Sequence, residues 1–528
     1  MPPARVRRGP RLRPTFAPSR AAHYRRPGGP WDRGSLESTF AGAGGAVVDD
    51  AGRLDATAVE AQVAGLAGRL RGAGVRRGDV VAWQLPNGVA VVVLYRACWR
   101  LGAVAAPLHH RLGAAEVTGA LGQVSPVLVL SASDLPAAGF PGARTLGPGP
   151  GLDPLFGLFG EAAPVEATGS TVRGSDVAVA LFTSGSTGVP KAALHTHRGL
   201  GYKATLMVAL HGLDGDDAVL MPAPLAHVSG LLNGVLLPAT AGIPSVLMAG
   251  WDPDEGLRLI EQERVTFMGA PPVFFSQMTA SGRFRAEGVA SLRLVSTGGA
   301  SVSPAFVDAT AAAFGCRVKR TYGSTEAPTV TTSGPHDSLE RARDTDGRAT
   351  GEVEIAVHDP ASGARLGTGT AGEIWLRGPE LFVGYADADA TDRVVTSPGR
   401  WFRTGDLGVL DDDGWLKVTG RMSDIIIRAG ENISASEVEA TLEAHPSVRH
   451  AVAVAVPDPD VGERVAAFVE TTAPFDLDTC RAWFAERQVT RFKTPEFVIA
   501  VDALPVLAAG KPDRAALKAR AAGLTGRS

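Results

Sequence analysis

Short apolar runs alternate with helical segments between residues 54 and 295, and this alternation restricts the fold more than any other feature of the chain. Runs at 80–85, 103–107, 127–130, 177–182, 218–221, 245–248, 265–268 and 292–295 read as buried strands. The segment 88–101 reads as a helix between two of them. Upstream, Val59, Val63, Leu66 and Leu70 share one helical face, with Asp55 as N-cap and Gly72 and Gly74 at the far end. Strands alternating with helices imply a mostly parallel α/β sheet. The texture changes near Gly347. Strand-like stretches at 351–357, 372–378 and 414–418, separated by turn residues, predict a small β subdomain. After Gly420 a compact α+β unit begins. Ser434 and Glu437 form a capping box for a helix to Ala444, a second helix is expected around 479–488, and strands at 450–456, 465–470 and 496–501 complete the unit. The Gly- and Pro-rich stretch 148–164 reads as a loop, and no internal repeat is visible.

A chain of 528 residues exceeds one ordinary core, so at least two domains are expected. Apolar content of 45% with 20% charged residues is that of a globular chain, and a net charge of −3 gives no bulk attraction to nucleic acid or anionic membrane. No apolar run is long enough to span a bilayer. Cys98, Cys316 and Cys480 lie far apart without metal-ligand spacing, which points to a reducing, cytoplasmic compartment. Residues 1–31 carry many arginines, no acid before Asp32 and no apolar h-region. Pro2, Pro3, Pro10 and Pro14 oppose an amphipathic targeting helix, so an unstructured leader or a misassigned start is expected there. The expected domains are therefore a leader at 1–31, a large unit at 32–420 and a small one at 421–528.

The run at 177–182 leads into Thr183, Ser184, Gly185, Ser186, Thr187, Gly188, Val189, Pro190 and Lys191. Glycines let backbone N–H groups close on an anion, the hydroxyls add donors, and Lys191 adds positive charge. The stretch reads as a polyphosphate cradle, although in isolation a Ser/Gly-rich surface loop has the same composition. It lacks the Walker A spacing. Further blocks follow in order: Gly298-Gly299-Ala300, Thr321-Tyr322-Gly323-Ser324-Thr325-Glu326, Trp401-Phe402-Arg403-Thr404-Gly405-Asp406-Leu407, Gly420-Arg421-Met422-Ser423-Asp424, Gly430-Glu431-Asn432-Ile433, and 504–511 ending in Gly510-Lys511.

This ordered series resembles the adenylate-forming superfamily of acyl-CoA synthetases and other AMP-dependent synthetases and ligases, over about residues 54–511. The resemblance implies a large N-terminal domain of α/β sheets with a small β subdomain, and a mobile small α+β C-terminal domain. It implies that residues 183–188 and Lys191 hold the ATP phosphates, and that Gly299, Ala300, Tyr322 and Gly323 surround the adenine. Thr325 would contact the α-phosphate, Glu326 would ligate Mg²⁺, Asp406 would hold the ribose, and Arg421 the ribose or a phosphate. Ser423 takes the hinge position, where Asp or Lys is usual, and Gly430 would leave room for the pantetheine arm of CoA. Lys511 would bridge the substrate carboxylate and the α-phosphate as the catalytic lysine, together with Thr325 and Glu326. The preceding Leu507-Ala508-Ala509 departs from the small polar residues commoner in the family.

The segment Pro222-Ala223-Pro224-Leu225-Ala226-His227-Val228-Ser229-Gly230 resembles the family's acyl-pocket motif, with His227 as gate and Val228 and Gly230 beside it. Val228 stands where amino-acid activators carry an Asp and hydroxybenzoate activators often an Asn, so neither substrate type is expected. Leu231, Leu232, Val235 and Leu236 make the surroundings apolar, and with each buried CH₂ worth roughly 0.8 kcal/mol an apolar acid is expected. The implied reaction is acid activation by Mg·ATP to an acyl-adenylate, then transfer to CoA, as in fatty acid metabolism. A stand-alone acyl–carrier-protein ligase in natural-product or lipid biosynthesis is the alternative. The absence of a carrier segment after Lys511 favours free CoA. His109-His110 and His195-x-His197 lack a supporting carboxylate pattern and are not read as a metal site, and no G-x-G-x-x-G opens a dinucleotide fold.

Overall fold

The computed structural model describes residues 11–15, 20–40, 42, 44–147, 151–167, 171–183, 190–299, 302–429, 431–506 and 512–522. Two sheets dominate the large domain. One has six strands in the order Arg144–Leu146, Leu128–Ala132, Val80–Gln84, Val104–Leu108, Val177–Thr183 and Lys191–Thr196. Its pairs are parallel except the last, an antiparallel hairpin. The other has nine strands, parallel from Arg317–Tyr322 through Leu294–Gly298, Phe267–Ala270, Val219–Met221 and Ser245–Leu247 to Val47–Asp49, with antiparallel additions at both edges. Every residue of Val80–Gln84 and Val104–Leu108 is buried, as befits parallel strands covered on both faces.

The helix Val89–Leu101 is buried over nearly its whole length, and its core cluster joins residues of both sheets. Such all-round burial suits a helix between two layers. It carries Arg96 and Arg100, which Glu37 and Glu60 answer: Arg96 Nε is 3.3 Å from Glu37, Arg96 Nη2 is 2.8 Å and Arg100 Nη1 2.7 Å from Glu60, and Arg100 also meets Glu37. The helix Ala56–Gly72 packs alongside with Val59, Val63, Leu66 and Leu70 inward, and Asp55 caps it by accepting from Ala58 N at 2.8 Å.

The β subdomain is a four-stranded antiparallel sheet of Glu354–His358, Gly372–Arg377, Phe402–Leu410 and Leu416–Arg421. The C-terminal unit has five strands packed against Ala435–Glu443 and Leu477–Glu486 on one side and Arg514–Ala521 on the other. The Ser434 hydroxyl caps the first of these helices through Glu437 N and also donates to Thr419 O at 2.8 Å, joining the two units.

Three expectations need correction. The stretch 148–164 contains a helix, Leu152–Gly157, held by the buried Leu155. The strand Arg144–Leu146 extends the first sheet beyond Leu128–Ala132. An unstructured leader does not describe residues 11–15 and 20–31. Ala21–Tyr24 is a helical turn, and Arg20 pairs with Glu354 at 2.7 Å and Arg26 with Glu352 at 2.6 Å. The Trp31 indole donates to Pro379 O at 2.7 Å beneath the Arg198 guanidinium. Arg20 and Arg26 are ion-pair partners of the subdomain's acids, which compositional reading alone does not distinguish from a solvated basic arm.

Candidate active site

Strand Arg317–Tyr322 ends at the rim of the nine-stranded sheet, and the chain turns sharply at Gly323. A Cβ on Gly323 would stand 2.4 Å from Thr329 N, so this turn has room only for glycine. The loop that follows presents Thr325 and Glu326 and is held from behind by four groups. The buried His195 imidazole lies with Nε2 2.8 Å from Thr325 O; a carbonyl only accepts, so Nε2 carries the proton. Burial lowers the His195 pKa to about 4, which keeps the ring neutral. Phe382 N donates to Glu326 O at 2.7 Å, and the Tyr385 hydroxyl donates to Glu326 Oε1 at 2.6 Å. Burial and the neighbouring Glu326 carboxylate raise the Tyr385 pKa, so the phenol remains a donor. Below the loop, the fully buried Lys203 pairs with the fully buried Glu380 at 2.7 Å and donates to Thr329 O at 3.0 Å.

Lys191 approaches the same place from the first sheet. It opposes Thr183 across the antiparallel pair. Its Nζ lies 5.5 Å from the centre of the Tyr385 ring. Gln123 clamps the base of the hairpin, donating to Pro190 O and accepting from Ala192 N. Ser184, Gly185, Ser186, Thr187 and Gly188 lie outside the described residues, as do Ala300, Gly430 and Lys511.

Asp406 is the second focus. It is nearly buried, accepts from the Tyr322 hydroxyl at 2.7 Å through Oδ2, and pairs with Arg421 Nε at 2.9 Å through Oδ1. Burial and then the Asp406 charge push the Tyr322 phenol up, and Asp406 is the first cause of the raised Arg421 pKa. Three residues from three separate sequence blocks thus meet at one carboxylate. Gly299 follows the strand Leu294–Gly298, which pairs in register with the Tyr322 strand.

His227 sits at the N-cap of the helical turn Val228–Leu231, and Gly230 lies so close to Pro224 O that a Cβ would stand 2.0 Å away. The helix continues through a π-turn, Leu232–Leu236, a distortion frequent at functional sites. The His227 ring lies 4.9 Å from that of His109, which stacks on His110. Ser423 lies in the turn Met422–Asp424 joining the domains. His195, Lys203, Glu380 and Tyr385 were not identifiable as site residues from the sequence. His195-x-His197 was the one visible signal, and its role is support of a loop rather than ligation. Among the described residues no cluster of three or more His, Cys, Asp or Glu side chains could hold a metal, and no helix is long and apolar enough to cross a membrane.

Fold and site together define an α/β protein with a large N-terminal domain and a smaller C-terminal one. Residues 42–386 match the model of the AMP-binding enzyme family and residues 437–511 that of the AMP-binding enzyme C-terminal domain. The chain belongs to this family. It is 34% identical to the medium-chain fatty-acid–CoA ligase of Escherichia coli over 94% of this chain and 92% of that one. It is also 34% identical to a feruloyl-CoA synthase of an Amycolatopsis species, over 85% and 90% of the two chains. The solved ATP-bound MatB of Rhodopseudomonas palustris superposes with a TM-score of 0.82 at 28% identity, covering 91% of this chain and 96% of that one. The protein is accordingly an acid–thiol ligase of the acyl-CoA synthetase class, which activates a carboxylic acid with ATP and transfers it to CoA.

Proposed function

We propose that the chain activates an apolar carboxylic acid in the cleft bounded by Lys191, Glu326, Asp406 and the His227 turn. A carboxylate oxygen bonds to the α-phosphorus of ATP as the bond to pyrophosphate breaks. The CoA thiol then attacks the acyl carbon, loses its proton and expels AMP. The observation that carries the reading is the convergence of Tyr322 and Arg421 on Asp406. That carboxylate is held at the cleft by two donors, a suitable anchor for ribose hydroxyls.

Residues 183–188 and Lys191 would take the phosphates, Gly299, Ala300, Tyr322 and Gly323 the base, and Thr325 the α-phosphate. Lys511 would approach the reacting carboxylate and Gly430 the pantetheine arm, with Ser423 as pivot. Glu326, whose Oε1 accepts from the Tyr385 hydroxyl, would offer Mg²⁺ a hard oxygen donor, with phosphates and water completing the shell. The ion, when bound, would neutralise phosphate charge. Apolar acyl recognition rests on the buried Leu231, Leu232, Val235 and Leu236 behind the His227 turn. The E. coli relative acts on medium-chain fatty acids, which fits this lining. A cytoplasmic setting accords with the three cysteines being free.

The test is product analysis by mass spectrometry with Mg·ATP, CoA and a panel of straight, branched, alicyclic and aryl acids. Acyl-CoA formation ranking with apolar area supports the reading. Adenylate without acyl-CoA would move the acceptor to a carrier protein, and absence of adenylate with every acid would overturn it.

A further inference from the structure

The segment before residue 42 lies outside the family match, yet part of it touches the back of the Glu326 site. Thr15 N donates to Val383 O at 2.9 Å, and the Thr15 hydroxyl lies 3.1 Å from both Tyr385 O and Thr391 Oγ1. The same Thr391 oxygen accepts from Tyr385 N at 2.8 Å. Gly384 is shaped to this contact: its φ is +104°, and a Cβ would stand 1.8 Å from Thr15 Oγ1. Tyr385 is therefore gripped through its backbone on both sides, by Thr15 at its carbonyl and by Thr391 at its amide. Its side chain meanwhile donates to Glu326 Oε1 at 2.6 Å, and Phe382, three residues earlier, donates from its amide to Glu326 O at 2.7 Å.

We propose that Thr15 and Tyr385 are positioning residues, and that the N-terminal arm is a strap which fixes the orientation of the Glu326 carboxylate through the segment 382–385. The contact is local and directional. A hydroxyl donating to one carboxylate oxygen restricts the rotation of the whole group, so the carboxylate would meet a cation without first losing that freedom. Arg20, Arg26 and Trp31 fasten the described residues 20–31 to Glu354, Glu352 and Pro379 O.

The proposal rests on Glu326 being the metal-binding carboxylate, and its test separates the two ideas. Thr15→Val, Thr15→Ser, Tyr385→Phe and Glu326→Gln would be compared in the full chain by amide hydrogen exchange without ligands. They would also be compared by electron paramagnetic resonance of Mn²⁺ with a non-hydrolysable α,β-methylene analogue of ATP. Thr15→Val is expected to speed exchange at the Phe382 and Tyr385 amides, and Thr15→Ser, which keeps the hydroxyl, to restore the native rate. Thr15→Val and Tyr385→Phe should each weaken Mn²⁺ by up to about tenfold, the scale of one ordinary hydrogen bond. Their combination should add little. Native exchange in Thr15→Val, or full Mn²⁺ affinity in Thr15→Val and Tyr385→Phe when Glu326→Gln has lost it, would overturn the strap. Full Mn²⁺ affinity in Glu326→Gln as well would instead remove the metal assignment, and the strap with it.

Discussion

Arg421 and Asp406 are direct cross-strand partners in the last antiparallel pair of the β subdomain, and the guanidinium Nε stands 2.9 Å from the carboxylate Oδ1. Arg421 is also the last residue of its strand before the turn Met422–Asp424. The carboxylate proposed to hold ribose is thus fixed to the last residue of the β subdomain, immediately before the turn that leads to the C-terminal unit.

Asp406→Asn should lower ATP affinity by about tenfold or more, since hydrogen bonds to a charged group contribute roughly 1.5–3 kcal/mol. Titration calorimetry with ATP measures this directly. An unchanged affinity would contradict the ribose assignment.

Lys511→Ala should remove adenylate formation far more than thioester formation from supplied acyl-adenylate. The lysine is assigned to the approach of two anions, a contribution of about 10²–10³ in rate for one preorganised donor. Half-reaction assays separate the steps, and equal losses in both would sink the assignment.

Stability should fall between pH 6.5 and pH 4. His195 and His197 are buried neutral, with pKa values lowered to about 4. Over that window the unfolded chain takes up protons that the folded chain refuses, so acid favours unfolding by up to about 1.4 kcal/mol per pH unit per group. Above pH 6.5 both states are neutral at these residues and the effect vanishes. Urea unfolding at pH 7 and pH 5 should show the loss, and His195→Asn should reduce it. Equal pH dependence in the variant would exclude His195 as a source.

Lys203→Met should destabilise the protein by about 3–5 kcal/mol, because the fully buried Glu380 would lose its partner. Removing both charges in Lys203→Met/Glu380→Leu should cost less than the single change. Denaturant midpoints decide this, and additive losses would show that the two groups do not act as a pair.

The alternation of strands and helices was legible because parallel strands buried on both faces read as continuous apolar runs, as at Val80–Gln84. The meeting of Tyr322, Asp406 and Arg421 was legible only through resemblance, since nothing in spacing alone brings residues 322 and 406 together. Tyr385, His195 and Lys203 were hidden for a physical reason. Each acts on a backbone carbonyl or a distant carboxylate across more than fifty residues of sequence, and such contacts leave no local pattern. The N-terminal arm was misread because arginines bound for Glu352 and Glu354 look in sequence like arginines bound for water.

The two arginines inside the helix Val89–Leu101 bear on the order in which the chain is made. Glu37 and Glu60 precede Arg96 and Arg100, so on a ribosome the acids have already emerged when the guanidinium groups appear. This buried helix need never collapse with its cations unanswered. A circular permutant that moved residues 37 and 60 behind residue 100 would keep every final contact and lose that timing.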